Sequence, residues 1–136
     1  MKIKDKVDYL IHKYDERDPF KLAKALGVHV LFENLGKIHG YYINHSRIAI
    51  IKINKNLPIE KQIFTCFHEV GHHVLHPNAN TPFLTEHTLF STEKIETEAH
   101  AFALEFLFYN KQIITNEDLI TYGIPKQVAR LRKLNL

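Results

Sequence analysis

Apolar positions recur along the first 26 residues at the spacing of a helix face. Ile3, Val7, Leu10, Ile11 and Tyr14 stand three or four apart and predict an amphipathic helix over residues 2–15. Asp18-Pro19 predicts a second helix start, with the carboxylate as cap and the proline at the first helical position. Leu22, Ala23, Ala25 and Leu26 continue it as an apolar stripe, and Gly27 ends it. The period then changes. Val28 to Phe32, Ile38 to Ile43 and Arg47 to Ile53 are rich in β-branched and aromatic residues and predict three short strands. Turns are expected at Asn34 to Gly36 and at Asn44-His45-Ser46. Strands in series with tight turns predict an antiparallel sheet. The two opening helices resemble the first half of a DNA-binding helix-turn-helix, but β-like sequence stands where the recognition helix would follow.

Asn54 to Pro58 breaks the strand pattern, and Pro58 opens a long helix that runs to about His76 and stops at Pro77. This helix has two unlike sides. Thr65, His68, Glu69, His72 and His76 share one, while Ile63, Phe67, Val70 and Val74 share the other. Residues 77–92 predict a loop, long for a connection and expected to lie over whatever its two flanking helices build. Ser91 or Thr92 is expected to cap the next helix, from about Glu93 to Tyr109. A final helical pair is expected at residues 116–121 and 125–134, with Gly123 between. The order of elements predicts an α+β fold, and the length predicts a single domain over residues 1–136.

Composition narrows the function. The net charge is only +3, with no Lys/Arg run or basic stripe, so direct nucleic-acid binding is not expected. No apolar stretch is long enough to predict a membrane span, and the first residues lack a hydrophobic signal region, so a cytoplasmic location is expected. A lone cysteine, Cys66, excludes an internal disulfide. It lies about 160° round the helix from His68, so it reads as a small buried apolar residue.

The polar side of the long helix carries the chemistry. His68-Glu69-Val70-Gly71-His72 is His-Glu-x-x-His, whose imidazoles, four apart, lie one above the other. Two imidazoles so placed can hold one zinc ion. Glu69 stands about 100° round from His68, beside the metal, where a general base for an activated water belongs.

A catalytic zinc usually has three protein ligands and an open position. Candidates for the third are His73, His76, Glu86, His87, Glu93, Glu96, Glu98 and His100. His76 is about 12 Å along the axis from His68, too far to share one ion with it, and reads as a structural or supporting residue. His73 points about 140° away from His68. On the next helix, Glu96 borders the buried stripe of Ile95, Ala99, Phe102 and Phe106, whereas Glu98 lies about 200° from Glu96. Glu96 is therefore the expected third ligand and Glu98 is expected to be solvated. His100, one turn after Glu96, is expected to hydrogen-bond a ligand from behind.

His68-Glu69-Val70-Gly71-His72-His73-Val74-Leu75-His76, with Glu96-Thr97-Glu98-Ala99-His100-Ala101-Phe102-Ala103, resembles the ImmA/IrrE family of small metallopeptidases. The second segment is similar to the family's Glu-x-x-Ala-Asn-x-Phe-Ala helix, whose Glu is a zinc ligand, and this too falls on Glu96. Asp18 to Val28 is similar to the family's opening segment. Two positions depart: His100 stands where the family usually has Asn, and Tyr109 where a Pro commonly ends the helix. The resemblance implies a small zincin-like domain encoded by a phage or mobile element, and a helix-turn-helix repressor as the protein cleaved to release transcription.

The expected function is thus a zinc-dependent endopeptidase. His68, His72 and Glu96 would hold one zinc, and Glu69 would take the proton of the attacking water and return it to the leaving nitrogen. Tyr41, Tyr42, His45 and His87 are candidates for a further oxyanion donor, and an exposed strand within residues 38–53 for aligning substrate. The alternative is a regulatory binding protein that contains zinc and acts on its partner without proteolysis.

Overall fold

The computed structural model describes residues 2–136. Helix α1 spans Ile3–Tyr14 and buries Ile3 and Val7. Helix α2 spans Pro19–Ala25, and its start is fixed as the sequence predicts. The Asp18 carboxylate accepts from the N–H groups of Phe20 at 2.8 Å and Lys21 at 3.3 Å. Two of the donors that every helix start leaves open are thereby satisfied.

Three strands follow: β1 at His29–Glu33, β2 at Gly40–His45 and β3 at Ile48–Asn54. Their spatial order is β1-β3-β2. β2 is antiparallel to β3, joined through Ser46 and Arg47 with φ of 51° and 67°. Positive φ at both central residues is what a tight hairpin turn of this hand requires. β1 is parallel to β3, so the sheet is mixed and the antiparallel expectation is corrected. The reason lies in which strand takes the centre. β3 is the most continuous apolar run and buries Ala49, Ile51 and Ile53, so it is sheltered on both sides. β1 and β2 carry more exposed residues and form the edges. Strands that alternate in direction place β1 and β3 the same way round, so pairing them is parallel pairing.

The inner face of the sheet packs on helix α3, Ile59–Leu75. Gly40 makes the close approach possible, since a Cβ there would meet Lys52 O and Thr65 Cγ2 at 2.7 Å. At the same point the outer edge of β2 is covered. His39 N donates to Leu84 O at 2.7 Å, and Leu84 N donates to Gly40 O at 2.9 Å, a single antiparallel bridge.

Helix α4, Lys94–Leu107, lies along α3. Phe67 stacks on Phe106 with ring centroids 5.0 Å apart, and Phe102 sits beside Phe106 at 5.6 Å. Burying each such ring stabilises the fold by about 1.5–3 kcal/mol. Between α3 and α4 the chain forms the covering segment expected for residues 77–92, with buried Leu84 and Leu89 and one 3-10 turn at Thr88–Phe90. Glu93, rather than Ser91 or Thr92, occupies the cap position of α4, while Ser91 Oγ accepts from Glu93 N at 3.2 Å.

Helix α5, Asn116–Tyr122, opens with a reciprocal cap between Thr115 and Asp118. Helix α6 spans only Lys126–Ala129, and a 3-10 helix at Arg130–Leu134 completes the second member of the predicted pair. Ile3 N donates to Leu136 O at 2.9 Å. Among the described residues, no helix is long and apolar enough to cross a membrane.

Candidate metal centre

The polar side of α3 faces inward. Thr65, His68, Glu69 and His72 are all buried, and Glu96, from the first turn of α4, is buried against them. His68 Nε2 lies 3.1 Å from Glu96 Oε1, and His72 Nε2 lies 2.9 Å from Glu96 Oε2. The two imidazole rings are 4.7 Å apart and nearly perpendicular. Ligand atoms of His68, Glu69 and His72 lie within 4.8 Å of one another. The two helices therefore bring all four residues singled out in the sequence to one place.

The donor set fits a divalent cation. A tetrahedral ion with bonds of 2.0–2.2 Å spaces its ligands about 3.3–3.6 Å apart, within a few tenths of an ångström of the distances here. His72 Nε2 and Glu96 Oε2 are close but not aligned on each other as a hydrogen bond, and neither has another hydrogen-bonding partner. Both Glu69 oxygens are also buried without a partner. Buried polar atoms left so cost about 1–3 kcal/mol each unless something satisfies them, and a cation at this point would do so.

The electrostatics agree with ligation. Burial, with smaller contributions from His100 and His72, holds His68 down at about 3, so its nitrogen lone pair is available. Burial acts to raise Glu96, but hydrogen bonding and charge from His68 and His72 outweigh it and hold the carboxyl at about 2. Metal binding needs these states, a neutral imidazole and an ionised carboxylate. Glu69 is different. Burial first, and the Glu96 charge second, push it well above the usual carboxylate value, toward the range of a general base.

The other candidates separate clearly. His100 was expected to hydrogen-bond a ligand, but its Nε2 lies 3.3 Å from Thr88 O in the covering segment. Its ring packs on His68 at 4.5 Å, and burial holds it at about 4. Glu98, expected to be solvated, is half-buried, with Oε1 2.9 Å from His76 Nε2. Helical spacing sets Glu98 about 200° round from Glu96, yet both carboxylates meet histidines of the α3 segment, Glu96 at His68 and His72 and Glu98 at His76, just past the last residue of α3. His73 Nδ1 meets Tyr42 OH at 3.0 Å, so that hydroxyl, which also donates to Pro77 O, is engaged elsewhere. Tyr41 packs on Phe83. His87 and Glu93 are exposed at helix starts, and Glu86 is tied to Lys61 and His39. Cys66 is buried, as expected of an apolar residue, and burial pushes its thiol up.

These residues fall inside a recognisable family segment. The family model described as the IrrE N-terminal-like domain, peptidase M78, matches residues 23–130. The chain is 39% identical over 142 aligned positions to "uncharacterized immunity region protein 2" of Bacillus phage phi105, covering 98% of this chain and 90% of that protein. It is 28% identical over 114 positions to "metallopeptidase ImmA" of Bacillus subtilis (strain 168), covering 82% of this chain and 66% of that protein. With its mixed sheet, its paired site-bearing helices and this match over most of its length, the chain belongs to the peptidase M78 family of IrrE N-terminal-like domains.

Proposed function

We propose that the protein is a zinc-dependent endopeptidase that cleaves a helix-turn-helix repressor of a phage or mobile element, and so releases transcription. One observation carries the catalytic part of this reading: His68, His72 and Glu96 converge from two helices beside a buried, unpartnered Glu69. The phage and bacterial relatives support an immunity-region setting and a protein substrate.

In this reading His68 Nε2, His72 Nε2 and the Glu96 carboxylate hold one zinc ion. An ion held there would supply Lewis acidity toward a water and the scissile carbonyl. Glu69 accepts the water's proton on a carboxylate oxygen and delivers it to the nitrogen of the breaking C–N bond. The outer edge of β2 beyond Gly40 lines the substrate up by strand addition. The site works in the cytoplasm, within one domain.

The second reading is a zinc-containing regulator that binds its partner without cutting it. The observation in its favour is that every site group is buried, so the site is closed to a peptide as it stands. The two are separated by co-expressing the protein with a candidate helix-turn-helix repressor and measuring the repressor's mass. Defined fragments that vanish with chelator and with Glu69→Gln support the peptidase. An intact repressor whose activity is nonetheless relieved supports the binding protein.

A further inference from the structure

We propose that His76 and Glu98 are positioning residues for the metal centre, acting through His72. This rests on the reading that His72 Nε2 is a ligand.

Three side chains form a line behind that nitrogen. His72 Nδ1 lies 3.2 Å from His76 Nδ1, and His76 Nε2 lies 2.9 Å from Glu98 Oε1. The protons along this line are fixed from both ends. A His72 that gives its Nε2 lone pair to a cation carries its proton on Nδ1, and so donates to His76 Nδ1. His76 Nδ1 then accepts, which puts its own proton on Nε2, pointing at Glu98. An ionised Glu98 only accepts. Each hydrogen bond has one donor and one acceptor, and only one tautomer of each ring fits.

The fold builds this line as a second rung. His72 and Glu96 form the first rung between α3 and α4, and His76 and Glu98 form the second, four residues further along the α3 segment and two residues further along α4. The second rung is held in place. His76 N donates to His72 O at 2.7 Å, and the side chains of His76 and Glu98 are 11% and 30% exposed, sheltered enough for the carboxylate to act on the ring rather than on water. His68 has no such support. Its Nδ1 is buried without a hydrogen-bonding partner, and its ring is set by packing on His100. The two imidazole ligands are thus oriented by different means: His68 by contact, His72 by a carboxylate acting through a second imidazole. Groups that orient a ligand in this way typically change metal affinity 10–100-fold when removed.

The test is zinc affinity, measured by competition with a chromophoric chelator on the purified full chain, with folding followed by circular dichroism. His76→Phe should weaken zinc binding about 10–100-fold. Glu98→Leu should weaken it about tenfold, and Glu98→Gln, which keeps an acceptor oxygen but no charge, should fall between Glu98→Leu and the parent. Long-range proton–nitrogen NMR of the zinc-loaded protein should show the proton on Nδ1 of His72 and on Nε2 of His76. A merely structural ion pair would lower melting temperature without this graded loss of affinity or this tautomer pattern. His72→Ala serves as the reference. If it loses zinc while folded Glu98→Leu and Glu98→Gln bind like the parent, the positioning role is overturned and the ligand reading stands. If His72→Ala binds zinc like the parent, the ligand reading itself fails.

Discussion

Gly71 of α3 faces Phe102 of α4, and the place a Cβ would take at Gly71 lies 3.1 Å from Phe102 Cβ and Cδ1. Gly71 is the residue just before the second histidine of the motif, so this contact sets how closely Glu96 can approach the imidazole pair.

Gly71→Val should therefore force the helices apart. Phe102 is fully buried and boxed in by Phe106, so it has little room to yield. Overpacking of this kind costs about 1–3 kcal/mol. The expected result is a lower denaturant midpoint together with weaker zinc uptake. Unchanged metal affinity at reduced stability would show that the seam does not control the site.

Glu69→Gln should keep the metal and lose cleavage, by about 10²–10⁴-fold if proton transfer is its role. The same change removes an ionisable group that burial opposes, so the metal-free variant should melt higher than the parent. Single-turnover cleavage and a thermal melt check the two halves separately.

Stripped of metal, the protein should lose stability in mild acid. Burial, helped by neighbouring histidines, holds His68 at about 3 and His100 at about 4, against an ordinary value of 6.5. Burial, with the Lys61 charge, also lowers His39. Below pH 6.5 the unfolded chain takes up protons that the folded chain refuses, so folding stability falls as pH drops. Each such proton contributes about 1.4 kcal/mol per pH unit. Glu69 opposes this. Its folded value is raised above 4.5, so its contribution weakens as pH rises through that range. With His73, which burial also lowers, four histidines outweigh one carboxylate, and the net is a fall from about pH 6.5 downward. Urea midpoints across that window should show it, and the fall should be steeper in Glu69→Gln.

Glu86→Gln should loosen the covering segment without unfolding the protein. Glu86 Oε1 lies 3.0 Å from Lys61 Nζ and 3.1 Å from His39 Nε2, and its side chain is mostly exposed. Exposed pairs contribute up to about 1 kcal/mol, so the melting temperature should barely move. Amide hydrogen exchange over residues 82–90 should quicken several-fold while α3 and α4 stay protected. Identical exchange in that segment would mean the tether holds nothing.

The helices and strands were legible because each is written in local terms. Asp18-Pro19, Pro58 and Gly123 mark boundaries, and the two-sided pattern of α3 singles out its histidine-bearing face. The convergence of His68, His72 and Glu96 was legible for the same reason, since helical geometry fixes which residues share a side. What was not legible depends on how elements meet. The parallel pairing of β1 with β3 follows from β3 taking the centre, which no local window records. The hydrogen bond of His100 to Thr88 depends on where an irregular segment lies. The contact of Glu98 with His76 depends on how far one helix extends past its neighbour.

The depth of the imidazoles and carboxylates governs how an ion comes and goes. With His68, His72 and Glu96 at zero exposure, a chelator would reach an ion held among them only when the chain itself breathes. Dissociation would then take its pace from that breathing, and more chelator would stop helping once each opening is captured. Brief chelation would leave the protein loaded. Stripping it calls for patience, warmth or mild denaturant rather than a higher dose.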